Sequence, residues 1–298
     1  MNIFTIGSLN LDYVYTVDHF VRPGETLSAL KREIFPGGKG LNQSIALARA
    51  GVPVYHGGCI GHDGGLLLQT LKEAGADISL VEIMEEPTGH TVIQVDASGE
   101  NCILLYGGAN HSLTPPLLER MFARCEKGDI LLLQNETNAL PEILRLAREK
   151  GIFTALNPSP WEDSLRELPL ESVRWFLLNR LEGEGFTGEQ EPSRIAAALR
   201  SRYPQAAVVL TLGAKGALYS DEEGDFFVPA FPVKAVDTTG AGDTFTGYFL
   251  ASIREGLSPE QAMRRGCLAS SIAVTRKGAA PSIPLREEVL QAEKSLGL

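Results

Sequence analysis

Short runs of β-branched and apolar residues, at 3–6, 130–133, 152–156, 175–178 and 208–212, recur along the chain with helical segments between them. Runs this short and this uniformly apolar read as strands buried on both faces. Strands that alternate with helices pair in parallel, under helices on each side of the sheet. The helical segments carry their own stop and start signals. Residues 66–74 end at Gly75, Thr114 caps a helix with Pro115 in its first turn, and Pro141 opens 142–150, which ends at Gly151. Residues 242–255 and 259–275 are long enough to be core helices. The expected fold is α/β with a mostly parallel central sheet.

Two stretches break this rhythm. Residues 12–35 have no helical period, and 91–105 read as two strands, TVIQVD and NCILLY, around the turn residues Ala97, Ser98, Gly99 and Glu100. Neither piece buries enough surface to stand alone, so the two are expected to form a small antiparallel sheet projecting as a lid. The expected division is a main body of residues 1–12, 37–90 and 107–298, and a lid of 13–36 and 91–106.

The net charge of −10 argues against nucleic acid as a partner, and an anionic ligand would need a locally positive site. Cys59, Cys102, Cys125 and Cys267 form no CxxC pair and no zinc spacing with the five histidines, and read as buried thiols of a reducing compartment. No basic leader opens the chain and no window reaches 18 apolar residues, so a soluble, cytoplasmic protein without a membrane partner is expected.

The chemistry gathers in three motifs. In DTTGAGDTF, residues 237–245, Gly240, Ala241 and Gly242 stand where a helix begins, so their N–H groups can face one anion while the helix dipole adds positive charge. Asp243 then stands beside the anion, where it can accept a proton from an attacking hydroxyl; alone, it is also an ordinary acidic residue of a first helical turn. PGGKGLNQ, residues 36–43, precedes a helix at 43–49 closed by Gly51. It is neither a P-loop nor GxGxxG. It fits a turn as well as a ligand loop in which Lys39 and Asn42 donate to a polyhydroxyl molecule. In SLNLD, residues 8–12, Asn10 and Asp12 follow the first strand and point the same way, toward the crevice of an open α/β sheet or into a turn.

With these motifs in place, the chain resembles the ribokinase branch of the PfkB family of sugar kinases. The resemblance runs in order through GSLNLD, RPGET (22–26), PGGKGLNQ, GGANHSLTP (107–115), LLLQNE (131–136), LNPSP (156–160), NRLE (179–182), TLGAKG (211–216), DTTGAGDTFTG and AVTRKGAAPSIP (273–284). It implies a three-layer α/β/α ribokinase-like fold with a small β-sheet lid. The implied activity is transfer of the ATP γ-phosphate to a primary sugar hydroxyl, ribose to ribose 5-phosphate in the parent reaction. By the same resemblance Asp243 is the base, and the amides of Gly240, Ala241 and Gly242 are the anion hole. Asn10, Asp12, Gly38, Lys39, Asn42 and Glu136 contact the sugar. Thr211, Gly213, Gly216 and Asn179, with Gly242, line the nucleotide. Asn179 and Glu182 organise Mg2+ through water, and Asp237, Thr239, Ala273, Arg276, Gly278 and Ser282 form a K+ loop. A homodimer through the lid is also implied.

Two departures stand out. Arg180 occupies a place where many relatives carry a second glutamate, and Cys267 aligns where some carry a histidine beside adenine. Deoxyribose, nucleosides, and fructose or tagatose derivatives stay open as acceptors, as does a catalytically silent sugar sensor. A dinucleotide oxidoreductase fits less well, because GSLN stands where GxGxxG would follow the first strand.

Overall fold

The computed structural model describes residues 1–297. In chain order the elements are β1 (Ile3–Ile6), β2 (Asn10–Thr16), β3 (Lys31–Gly37), α1 (Lys39–Arg49), β4 (Val54–Gly61), α2 (Gly65–Ala74), β5 (Asp77–Met84), β6 (Gly89–Val95) and β7 (Asn101–Tyr106). They continue with α3 (Pro115–Ala123), β8 (Ile130–Gln134), α4 (Leu140–Lys150), β9 (Phe153–Asn157), β10 (Val173–Asn179), α5 (Arg180–Thr187), α6 (Pro192–Arg202) and β11 (Ala207–Thr211). The last are β12 (Gly216–Asp221), β13 (Gly224–Pro229), α7 (Ala241–Arg254), α8 (Pro259–Ala273) and α9 (Arg286–Leu296).

Nine strands form one sheet in the order β13-β12-β11-β10-β9-β8-β1-β4-β5, parallel except for the hairpin β12–β13 at one edge. Alternate residues of its strands feed two separate cores. Ile3, Ile130, Leu132, Leu177 and Val209 meet α1, α2, α7 and α8, whereas Phe4, Leu131, Leu133, Phe176 and Leu210 meet α3, α4 and α6. This is the expected α/β/α layering. Both faces are covered, which is why the strands read as unbroken apolar runs rather than alternating ones.

From β1 the chain order runs outward in two directions, to β4 and β5 on one side and to β8, β9, β10 and β11 on the other. The reversal between β1 and β8 leaves a crevice at the C-terminal ends of those strands, where ligands of open α/β sheets bind.

A second sheet, ordered β3-β2-β6-β7, stands apart from the first. It is not wholly antiparallel as expected. β2 and β6 pair in parallel from Asn10↔Gly89 to Thr16↔Val95, because both leave the main body in the same direction. The β6–β7 hairpin turns on Asp96, whose carboxylate accepts from the N–H groups of Ser98 and Glu100, with Gly99 at φ 85°. Three smaller expectations change. Thr114 stands at the N-cap of α3 without a side-chain bond, Cys102 is exposed on β7, and β4, β5, β12 and β13 are strands without a sequence counterpart above. Trp175 is core, and Trp161 packs on Phe186 rather than on the second sheet.

Candidate active site

Four adjacent strands end in polar residues: Gln134 on β8, Asn157 on β9, Asn179 on β10 and Thr211 on β11. Each stands where its strand leaves the apolar layer, and together they floor the crevice. Its far wall is the start of α7, where Gly240 takes φ 72°, a left-handed conformation that costs glycine little. The first turn of α7 is less uniform than GAGD suggests. The Ala241 N–H donates to Thr238 O at 3.2 Å, whereas those of Gly240, Gly242 and Asp243 have no partner among the described residues. At this helix start the Gly240, Gly242 and Asp243 N–H groups are thus unpaired among the described residues, and that of Ala241 is turned to Thr238.

Asp243 is buried and held at both oxygens. Asn42 Nδ2 donates to Oδ2 at 3.1 Å and Gln43 Nε2 to Oδ1 at 2.8 Å. Burial still raises its carboxyl above the ordinary aspartate range, against the opposing pull of Lys39 and the two amides. Burial also works to lower Lys39, but the carboxylates of Asp243, Glu136 and Glu182 outweigh it, and the ammonium is held more firmly than usual. Lys39 is thus a fixed cation among three carboxylates, the one positive side chain among the described residues that line this crevice.

Lys39 and Asn42 do not sit on a flexible loop. α1 starts at Lys39, four residues earlier than expected, so both belong to its first turn. The glycines serve this docking. A Cβ on Gly40 would lie 2.5 Å from the backbone of Gly7 and Ser8, and Gly38 has φ 96° with Ser8 O against it. Glu136 joins the two chain segments at the crevice, accepting from Ser8 Oγ and from Lys39 N–H at 3.0 Å.

Asn10 and Asp12 lie on β2 of the second sheet. Asn110 accepts from Leu9 N–H at 2.9 Å and donates to Asn10 Oδ1 at 2.7 Å, which leaves Asn10 its amide hydrogens for a ligand. Asp12 accepts from Thr91 Oγ1 at 2.6 Å; burial raises its carboxyl, Thr91 opposes this, and the charge of Glu136 adds to it.

A cavity of about 200 Å3 joins Lys39, Asn157, Asn179, Glu182 and Asp243, and a second of about 290 Å3 is lined by Thr211, Gly213, Gly216, Phe231, Val233, Cys267 and Val274. The two share Thr211, Thr238, Ala241, Gly242 and Phe245, so a long ligand can thread past the start of α7. The second is mostly apolar, as a planar base requires. Burial pushes the Cys267 thiol up to about 12, so it presents a neutral, inert surface there.

Asn179 and Glu182 form a capping box at α5: Asn179 Oδ1 accepts from Glu182 N–H at 3.0 Å, and the Asn179 N–H and Nδ2 donate to the two Glu182 oxygens at 2.9 and 2.8 Å. Each Glu182 oxygen accepts one hydrogen bond and keeps a lone pair free, so the pair can meet a hard cation or its water shell. Arg180 pairs with Glu184 at 2.8 Å on the surface of α5. Of the residues implied for K+, Asp237 accepts from Thr239 N–H, Thr239 Oγ1 and Gly278 N–H. It thereby ties the loop before α7 to the loop after α8. Its carboxyl is lowered because these bonds and Lys277 outweigh burial, so the loop keeps an ionised carboxylate. The Ala273 carbonyl accepts from Arg276 N–H at 3.0 Å, Arg276 pairs with Glu288, and the Ser282 hydroxyl donates to Ala279 O at 2.8 Å. The Asp237 carboxylate and the carbonyl and hydroxyl oxygens of this loop pair are donors of the type a hard cation takes. Among the described residues, no three His, Cys, Asp or Glu side chains are grouped as metal ligands, and no helix is long and apolar enough to cross a membrane.

Residues 1–286 match the family model described as pfkB family carbohydrate kinase. This chain belongs to that family. The kinase is 37% identical to the ribokinase of Haemophilus influenzae over 296 residues, 96% of each chain, and 33% identical to the deoxyribokinase of Salmonella typhi over 97% of each. The ribokinase of Arabidopsis thaliana, solved with ribose and ATP, superposes with a TM-score of 0.86 at 30% identity over 97% of both chains.

Gln43, Gln134, Asn157 and Asn110 carry roles that motif matching passed over. The available signal was polarity out of place: Gln134 ends the apolar run of β8, and Asn42 and Gln43 fall in the stretch of α1 from Gly40 to Leu47 that is buried on every side.

Proposed function

We propose that this kinase transfers the γ-phosphate of ATP to the primary hydroxyl of D-ribose, giving ribose 5-phosphate. The observation that carries the proposal is Asp243, buried between two amide donors beside the free N–H groups that open α7. Asp243 takes the hydroxyl proton as the oxygen attacks, and the first-turn amides with Lys39 hold the charge on the transferring phosphoryl group. Asn10, Asp12, Gly38, Asn42 and Glu136 orient the sugar, and Thr211, Gly213 and Gly216 flank the nucleotide. Asn179 and Glu182 would hold Mg2+ through water, which would supply charge neutralisation at the phosphates, and Asp237, Thr239 and the Ala273–Ser282 loop would hold K+ beside the start of α7. The second sheet closes over the sugar and keeps water from the γ-phosphate.

One assay tests these points together: ADP release with MgATP across ribose, deoxyribose, fructose, tagatose and nucleosides, in K+ or a large organic cation. The expected result is stimulation by ribose above the other acceptors, slow release without sugar and faster turnover in K+. Deoxyribose as the better substrate would assign the chain to the activity of its Salmonella relative. Sugar-independent ADP release would remove the lid's role, equal rates in both cations would remove K+, and no stimulation by any sugar would leave a sensor.

The proposal includes a homodimer. The edge strand β7 exposes Ile103, Leu104 and Leu105, an apolar edge that a second lid would cover. Light scattering should give twice the chain mass, and Leu104→Glu should halve it; a monomeric native protein would end this part. A cytoplasmic setting, supported by four free thiols, completes the proposal.

A further inference from the structure

Behind Asp243 runs a chain of side-chain amides whose polarity is set from a backbone carbonyl. Asn157 Nδ2 donates to Leu177 O at 2.7 Å, and because that carbonyl can only accept, Asn157 must turn its Oδ1 toward Gln43. Gln43 Nε2 donates to this oxygen at 3.0 Å and to Asp243 Oδ1 at 2.8 Å. Its own Oε1 then faces into the protein and needs a donor, which Gln134 Nε2 supplies at 2.7 Å. Gln134 does so at a cost. Its Oε1 is buried with no partner among the described residues, and it presses on Gly7, where any Cβ would strike it. A buried acceptor without a partner destabilises a fold, so its presence calls for a compensating role.

We infer that Gln134 is a positioning residue for phosphoryl transfer, holding the Gln43 amide in the one orientation that donates to Asp243. The inference rests on Asp243 being the base. Without Gln134, Gln43 Oε1 is buried without a donor and the amide is held from the Asp243 and Asn157 side alone, so it tilts out of line and its bond to Asp243 weakens, disfavouring the ionised carboxylate. The charge acting on Asp243 is that of Lys39 on α1, which Glu182 on α5 and Glu136 after β8 also face, and none of the three bonds to the relay.

Gln134→Met exchanges one orphaned buried acceptor, its own Oε1, for another, Gln43 Oε1, so thermal stability should change little. Its kcat should fall about tenfold, the scale for losing a partner that orients a reacting group, with the sugar KM within about twofold of native. The acid limb of its kcat/KM profile should move to higher pH. Gln134→Glu retains a donor only while its buried carboxyl is protonated, so its activity relative to native should decline as pH rises. Native kcat and a native acid limb in Gln134→Met, or a pH-independent ratio in Gln134→Glu, would overturn the inference. If the Met variant does not fold, the ratio decides. Asp243→Asn separates the two levels. Its inactivity beside native-like Gln134 variants sinks only the relay, whereas its retained turnover removes the base and the relay with it.

Discussion

Asp243→Asn should lower ribose-dependent turnover by about a thousandfold, within the range expected for loss of a general base, while leaving the protein as stable as native or more so. The two effects share one cause. Burial raises the Asp243 carboxyl, so the folded protein binds that proton more readily than the unfolded chain does. Its contribution to stability is therefore most favourable below the unfolded value and is lost as pH rises through the folded one. At neutral pH the ionised group is a burden on the fold, and asparagine removes it. The new amide also finds a partner, since Asn42 Oδ1 is buried and unbonded among the described residues and can turn to accept from it. The same shift places the acid limb of native kcat/KM above the ordinary aspartate range. Steady-state kinetics with thermal unfolding checks all three. Turnover within about tenfold of native would dismiss Asp243 as the base, and a lower melting temperature would show that the carboxylate stabilises the fold.

Gly40→Ala should destabilise the kinase by about 3 kcal/mol, the upper end for overpacking, because the atoms it meets are backbone. A methyl group there would lie 2.5 Å from Gly7 C and Ser8 N, and neither can move without shifting β1 or the entry to β2. Relief by lifting α1 would carry Lys39, Asn42 and Gln43 away from Asp243 and Glu136. Urea denaturation should show the loss, and kcat should fall with it. A variant within about 0.5 kcal/mol of native would show that α1 is not pinned at this point.

These two residues show how far the sequence carries. Asp243 was legible because the GAGD motif places a carboxylate at a helix start, and local order alone makes that an anion site. Gly40 was visible only as one glycine of PGGKGLNQ, a stretch that fits a turn as well as a ligand loop, whereas the fold uses its smallness to let α1 touch the β1–β2 corner. The parallel sheet was visible in its apolar runs, and the β2–β6 pairing was not, since those strands lie 79 residues apart at Asp12 and Thr91, which are bonded across the sheet.

The sequence by itself determined the layered fold, the start of α7, the family and the identity of its ionisable groups, because each is written in local periodicity or in a contiguous motif. The tertiary structure decided which groups meet. Gln43 reaches Asp243 across 200 positions, Gln134 reaches Gln43 across 91, and Glu136 reaches Ser8 across 128. Hydrogen-bond direction and burial depend on neighbours in space, so Asp243 acquires its raised proton affinity only once α1 packs against α7, and Gln43 its orientation only once β8 and β9 stand side by side beneath it.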